Sequence, residues 1–221
     1  MPNDRVRKRT AVLISGRGSN MASLIEAGKA PSYPAEIALV VSNRPDAAGL
    51  DLARGAGIEN EVIDHLAFGE REAFEAILQA LLEQHRIEIV CLAGFMRLLT
   101  PWFVGRWEGR LLNIHPALLP AFRGLHTHER ALAAGVKIHG ATVHFVTPEV
   151  DSGPIIVQAA VPVRESDNTE ALAARVLAAE HRIYPQALRL VADGRACAVG
   201  GRCIITAPDA GNDTIMIVPV D

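Results

Sequence analysis

The chain has 221 residues, of which 49% are hydrophobic and 21% charged, and a formal net charge of −3. That balance fits a single globular domain with room for a sizeable core, and it gives no electrostatic case for a nucleic-acid partner. The basic stretch "RVRKRT" (5–10) precedes an apolar run (11–14) too short for a signal-peptide core or a membrane span, so a soluble cytoplasmic protein with no membrane partner is expected.

Strand-like runs alternate with helical patterns through the first half, which predicts a parallel α/β sheet. "TAVLIS" (10–15) reads as the first strand, followed by a glycine turn and a helix from Ser19. "EIALVVSN" (36–43) is a continuous apolar run, as expected of a strand covered on both faces. Residues 71–86 carry Phe74, Ile77, Leu78, Leu81 and Leu82 at helical spacing, and "IEIVCLAGF" (87–95) gives another buried strand. The second half differs. A short strand at 111–114 and a short helix at 129–135 lead to "GATVHFV" (140–146) and "IIVQAAVPV" (155–163), two strands joined by "TPEVDSGP". A helix over 168–192 follows, with Asn168 as its cap, a kink at Pro185 and a stop at Gly194. From Cys203 onward, short β-like runs alternate with "APDAGND" in a peripheral tail. The three cysteines, Cys91, Cys197 and Cys203, lack CxxC spacing and support neither a disulfide framework nor a thiolate metal site.

After the first strand comes "SGRGSNMASL". Gly16 and Gly18 free the backbone for a tight turn, and the helix opening at Ser19 and Asn20 presents unpaired amides, a ready anion site. The dinucleotide fingerprint fails, because a third glycine is missing and the second strand ends in Ser42 and Asn43, with no acid for a ribose. No Gly-Lys-Ser/Thr appears, so a phosphate monoester is the better ligand class. A purely structural glycine turn remains the alternative.

Asn113 and His115 stand at i and i+2 on a strand end and share a face, and Pro116 then turns the chain out into a loop. An amide that donates without titrating, beside an imidazole that can carry charge, suits a developing oxyanion. Asp151, bracketed by Pro148, Gly153 and Pro154, would favour the imidazolium if it lies close by; otherwise it is a turn-forming Asp. His126, His128, His139 and His144 invite a zinc reading, but no HExxH unit is present and "HTH" needs ligands from elsewhere. Structural hydrogen bonding is the simpler reading for His139 and His144, and no metal is expected.

The motifs "LISGRGSN", "LAGFMRLL", "GRLLNIHPALLPAFRGLHTHERAL", "HGATVHFVTPEVDSGPII" and "AAEHRIYP" occur in this order and spacing over about 12–194. Together they resemble the phosphoribosylglycinamide formyltransferases, a family of the folate-dependent formyltransferase superfamily. The resemblance implies a Rossmann-like three-layer formyltransferase fold, whose mostly parallel twisted sheet has a mixed or antiparallel C-terminal part. It also implies one domain over 1–221, with a phosphate-binding half (1–110), a catalytic and folate-binding half (111–194) and a peripheral tail (195–221). The activity implied is transfer of the formyl group of the co-substrate 10-formyltetrahydrofolate to glycinamide ribonucleotide in purine synthesis. Asn113, His115 and Asp151 would be catalytic. Gly18, Ser19 and Asn20 would hold the phosphate through backbone amides, and Glu180 the ribose hydroxyls. Arg71, Met96, Arg97, Leu98, Leu99, Val104 and Asn113, with the loop residues Thr147, Pro148, Glu149, Val150 and Asp151, would contact the folate. Leu177 stands where some relatives carry a polar residue, and "AFRG" departs from the commoner sequence, putting Arg123 where a cation would assist the phosphate. A related formyltransferase or deformylase, or a non-catalytic nucleotide-binding module, is the alternative, and a homodimer is left open.

Overall fold

A computed structural model describes residues 6–206, so the expected behaviour of 207–221 lies outside it. Five strands form the parallel part of a seven-stranded sheet: β1 (Lys8–Ile14), β2 (Ala35–Ser42), β3 (Asn60–Val62), β4 (Ile89–Leu92) and β5 (Leu111–His115). Two more, β6 (Ile138–Phe145) and β7 (Ile155–Pro162), add antiparallel to its edge, giving the order β3-β2-β1-β4-β5-β6-β7. The expected mixed C-terminal part is therefore present. β8 (Ala196–Val199) and β9 (Arg202–Ile205) pair as a separate hairpin, which gives part of the expected tail a definite structure.

Alternation along the strands divides the core in two. On one face Val12, Ile14, Val40, Cys91, Leu112, Ile114, Val143 and Phe145 pack under α1 (Ser19–Gly28) and α6 (Thr169–Ala192). On the other, Ala11, Leu13, Leu39, Val41, Val90, Leu92 and Leu111 pack under α3 (Arg71–Gln84) and α4 (Pro101–Arg106). Each fully buried Leu or Val contributes about 1.5–3 kcal/mol, so this three-layer stack is a rigid base for the loops at its edge. The sequence reading did not anticipate α2 (Gly49–Gly55), β3 or α4, which are all short. α5 (Thr127–Ala133) starts two residues before the expected helix.

The long helix α6 begins as expected: the Asn168 side chain accepts from Ala171 N at 2.8 Å. Pro185 lies within it, and Gly194, at φ +71°, follows its end. No helix among the described residues is long and apolar enough to cross a membrane.

Candidate active site

β5 carries Leu111, Asn113 and His115 on the α3/α4 face of the sheet, and β6 is its antiparallel neighbour. Register sets Asn113 opposite His144 and His115 opposite Thr142, so two apolar strands place four polar side chains on one face. The Asn113 amide nitrogen lies 3.2 Å from His144 Nε2, and His144 Nδ1 lies 2.8 Å from the Phe145 carbonyl oxygen. A carbonyl only accepts, so Nδ1 carries a proton there. Burial holds the His144 imidazole below its usual pKa, with the His115 charge adding to the effect and the Phe145 carbonyl and Asp151 opposing it. The neutral ring then offers Nε2 as an acceptor to Asn113. That bond fixes the amide's orientation and leaves its second N–H for a ligand. His144 thus does more than satisfy the core. Thr142, fully buried, accepts from Leu119 N at 3.0 Å and donates to the Ala117 carbonyl at 2.7 Å, pinning the loop after His115.

Asp151 comes from the β6–β7 connection and does lie beside His115: its Oδ2 is 3.4 Å from His115 Nδ1. Both side chains are at least nine-tenths buried. The same oxygen accepts from Gly124 N at 2.8 Å, and Oδ1 lies 3.8 Å from His144 Nε2. Asp151 sits at φ +50°, a left-handed conformation that costs an L residue about 1–2 kcal/mol and that Asp tolerates better than most. Two residues on, a Cβ at Gly153 would stand 1.7 Å from the Phe145 oxygen, so the close return of this loop requires glycine. His115 Nε2 lies 2.9 Å from the Phe122 carbonyl and donates there, so this nitrogen is not free to meet an oxyanion. Nδ1, facing Asp151 across a gap longer than a strong hydrogen bond, is the nitrogen left for chemistry.

At the C-terminal end of β1 the chain turns through Gly18 at φ +73°, where a Cβ would stand 2.9 Å from Gly49 Cα. Gly49 N in turn donates to Gly16 O at 2.9 Å, so the loop is braced against the start of α2. α1 begins at Ser19 with no side-chain cap and no acidic residue in its first turn, so its first amides are uncapped by their own helix. Leu13 pairs with Leu92 and Leu92 with Asn113. This loop and Asn113 therefore stand on the same sheet edge, with their strands about 10 Å apart. Glu180 enters from α6. It is 6% exposed, accepts from Asn20 Nδ2 at 2.5 Å, and burial raises its carboxyl pKa against the opposing effect of that bond.

The expected folate residues divide. Arg71, Leu98, Leu99, Pro148 and Val150 line one cleft of 560 Å³ with Gly69, Glu70, Glu72, Thr100 and Pro101. Met96, 69% exposed, does not line the cleft, and neither do Arg97, whose guanidinium stacks 4.9 Å from the Phe74 ring, Thr147 or Glu149. Val104 is a core residue, 4% exposed, in the cluster against which Leu99 packs. The cleft wall has a support that the sequence reading missed. Glu75, fully buried on α3, accepts from Thr100 N at 2.7 Å and from the Thr100 hydroxyl. Ser15 does a similar service beside it, accepting from Met96 N at 2.8 Å and donating to Asn43 Oδ1 at 2.6 Å.

The remaining histidines do not converge. His128 and His139 meet edge to face at 5.4 Å, and both His139 nitrogens are buried without a hydrogen bond of good geometry, contrary to the structural bonding expected of it. Exposed His126 pairs with Glu129 at 3.3 Å. Among the described residues, no group of three His, Cys, Asp or Glu side chains is placed to hold a metal ion. Arg123 is exposed, and its carbonyl accepts from Arg130 at 2.6 Å; Leu177 is half-buried on α6.

Comparison with known proteins decides the family: the formyl transferase model matches residues 8–188. The chain belongs to the formyl transferase family. This formyl transferase is 48% identical over 184 residues to phosphoribosylglycinamide formyltransferase of Escherichia coli (strain K12), covering 83% of this chain and 87% of that protein. It is 52% identical over 188 residues to the trifunctional purine biosynthetic protein adenosine-3 of Bos taurus, covering 85% of this chain but only 19% of that protein's length. The crystal structure of glycinamide ribonucleotide transformylase 1 from Symbiobacterium toebii superposes with a TM-score of 0.88 at 48% identity, covering 91% of this chain and 95% of that one.

Proposed function

We propose that this formyl transferase moves the formyl group of 10-formyltetrahydrofolate to the amine of glycinamide ribonucleotide. The observation that carries the reading is the convergence of Asn113, His115 and Asp151 on the sheet edge that also bears the Gly18 loop. The named relatives at about half identity support the choice of substrates.

In this reading the substrate phosphate rests on the amides of Gly18, Ser19 and Asn20, and Glu180 takes the ribose hydroxyls. The cleft walled by Leu98, Leu99, Pro101, Pro148 and Val150, with Arg71 at its rim, fits a flat, largely apolar donor ending in carboxylates. Met96, Arg97, Thr147 and Glu149 would meet the donor outside this cleft, and Val104 would act on it only from behind, through Leu99. The donor supplies a formyl carbon open to attack by the amine. Asn113, held by His144, directs its free amide N–H at the oxygen that turns negative. Asp151 and His115 Nδ1, 3.4 Å apart, take the proton from the attacking amine and pass it to the donor nitrogen, whose bond to the formyl carbon breaks as the new amide forms. Nε2, anchored on Phe122, keeps the ring from turning away.

Incubating the purified protein with the formyl donor and glycinamide ribonucleotide, a sugar-nucleotide amine or no acceptor tests the reading. Turnover only with the ribonucleotide is expected. Equal formate release without an acceptor would make it a deformylase.

A further inference from the structure

α6 carries a row of residues four apart, Leu172, Val176, Glu180, Tyr184 and Leu188, all of them buried. In this row Glu180 alone is charged. A carboxylate in such a place needs a donor, and its only hydrogen-bond partner among the described residues comes from the other end of the candidate site, the Asn20 amide on α1. Asn20 is left with a buried Oδ1 that has no partner. The amide cannot be turned round to cure this, because its oxygen would then face the carboxylate. The side chain is therefore placed by Glu180 and not by its own hydrogen-bonding needs. Because Asn20 is also the second residue of α1, the bond ties the phosphate loop to the sugar-facing carboxylate.

We propose that the Asn20 side chain is a positioning residue for sugar recognition, holding the Glu180 carboxylate at the ribose hydroxyls while the Asn20 backbone serves the phosphate. The inference rests on the proposed substrate and adds a role the backbone alone would not have. Every residue 20 variant other than proline keeps the backbone N–H, so substitution isolates the side chain. Asn20→Leu keeps the shape and removes the donor without adding charge beside the phosphate, and Asn20→Ala removes the side chain beyond Cβ.

The test is steady-state kinetics with glycinamide ribonucleotide and with its analogue lacking both ribose hydroxyls. On the natural substrate both variants are expected to raise KM about tenfold or more, with kcat within about threefold, as losing one charge-assisted hydrogen bond implies. On the analogue, variant and wild-type KM values should agree within about twofold. Glu180→Gln should show the same pattern, and Asn20→Leu added to it should raise KM little further. Calorimetric titration with ribose 5-phosphate and with its 2,3-dideoxy analogue gives the same split without turnover. An unchanged KM for Asn20→Leu, or an equal rise on both substrates, overturns the positioning role alone. A wild-type protein that does not formylate the ribonucleotide overturns the proposed function and, with it, this inference.

Discussion

At the scale of single residues, the proposed chemistry depends on which way one amide points. Asn113 has its nitrogen against His144 Nε2 at 3.2 Å, and only a neutral His144 accepts that bond. His144→Phe keeps the bulk and removes the acceptor, freeing the amide to turn over. We expect kcat to fall by up to about 10²-fold, the range for a reacting group misplaced by an ångström, with little change in the ribonucleotide KM. Asn113→Ala should lose about 10² to 10³ in kcat as a lost oxyanion donor. The two should combine to no more than the larger single loss, because both remove the same oriented N–H. Additive losses would show that His144 acts independently of Asn113. Much of this was legible in the sequence. Asn113 and His115 two apart in an apolar strand announced a shared polar face, and Asp151 does meet His115. Thr142 and His144 carried the same i, i+2 signature in "ATVHF", but antiparallel register, a non-local property, was needed to set them opposite β5. The Phe122 carbonyl that occupies His115 Nε2 left no mark in the sequence, since any residue supplies a carbonyl.

At the scale of elements, the cleft depends on α3 holding the start of α4. Thr100 caps α4, accepting from Phe103 N at 3.4 Å, while its own N–H and hydroxyl both go to Glu75. Glu75→Ala strands those two donors in a buried place, which typically costs about 1–3 kcal/mol per group. Chemical denaturation should register that loss, together with a raised KM for the formyl donor as Leu98 and Leu99 loosen. Glu75→Gln keeps one acceptor oxygen and should fall between. Equal stabilities for all three proteins would mean that the Glu75 contacts do not hold the wall. A second element-scale constraint is Gly153. Gly153→Ala should open the β6–β7 connection and carry Asp151 away from His115, so kcat should drop even where a folded protein is recovered. The long elements were readable because 14 and 24 residues of amphipathic helix leave a strong period. α4, six residues long, left none, although "TPW" bears the cap and first-turn proline of a helix start. A polar residue in an apolar row was a further signal in reach, and it marks Glu180; Glu75, with Arg71 and Gln79 four residues to either side, carried no such mark.

At the scale of the whole molecule, buried imidazoles couple the fold to pH. Burial lowers the pKa of His128, His144 and His181, and brings His139 down to about 4, helped by the nearby charges of His128 and His115 and opposed by the Pro116 carbonyl. A base whose folded pKa is depressed binds its proton more readily when unfolded. Its stabilising contribution is therefore complete above about pH 6.5 and drains away as the pH falls towards the folded value. For His139, 1% exposed, the full span is worth on the order of 3 kcal/mol. Glu180 works in the opposite direction, since its raised carboxyl eases the native state as acid protonates it, and so blunts the loss. Asp167, held at about 2 by Arg175, keeps most of its contribution through this window and loses it as the pH falls from the ordinary value of 3.8 towards 2. His139→Phe preserves an aromatic ring against Phe122, 5.7 Å away edge to face, and removes two buried nitrogens that lack good hydrogen bonds. Urea midpoints measured from pH 7 to 4.5 should fall steeply for the wild type and distinctly less for the variant, with the curves diverging below about 6.5. Curves that stay parallel throughout would mean that His139 takes up its proton equally in the folded and unfolded chain, and acid lability would then have to come from the other three histidines.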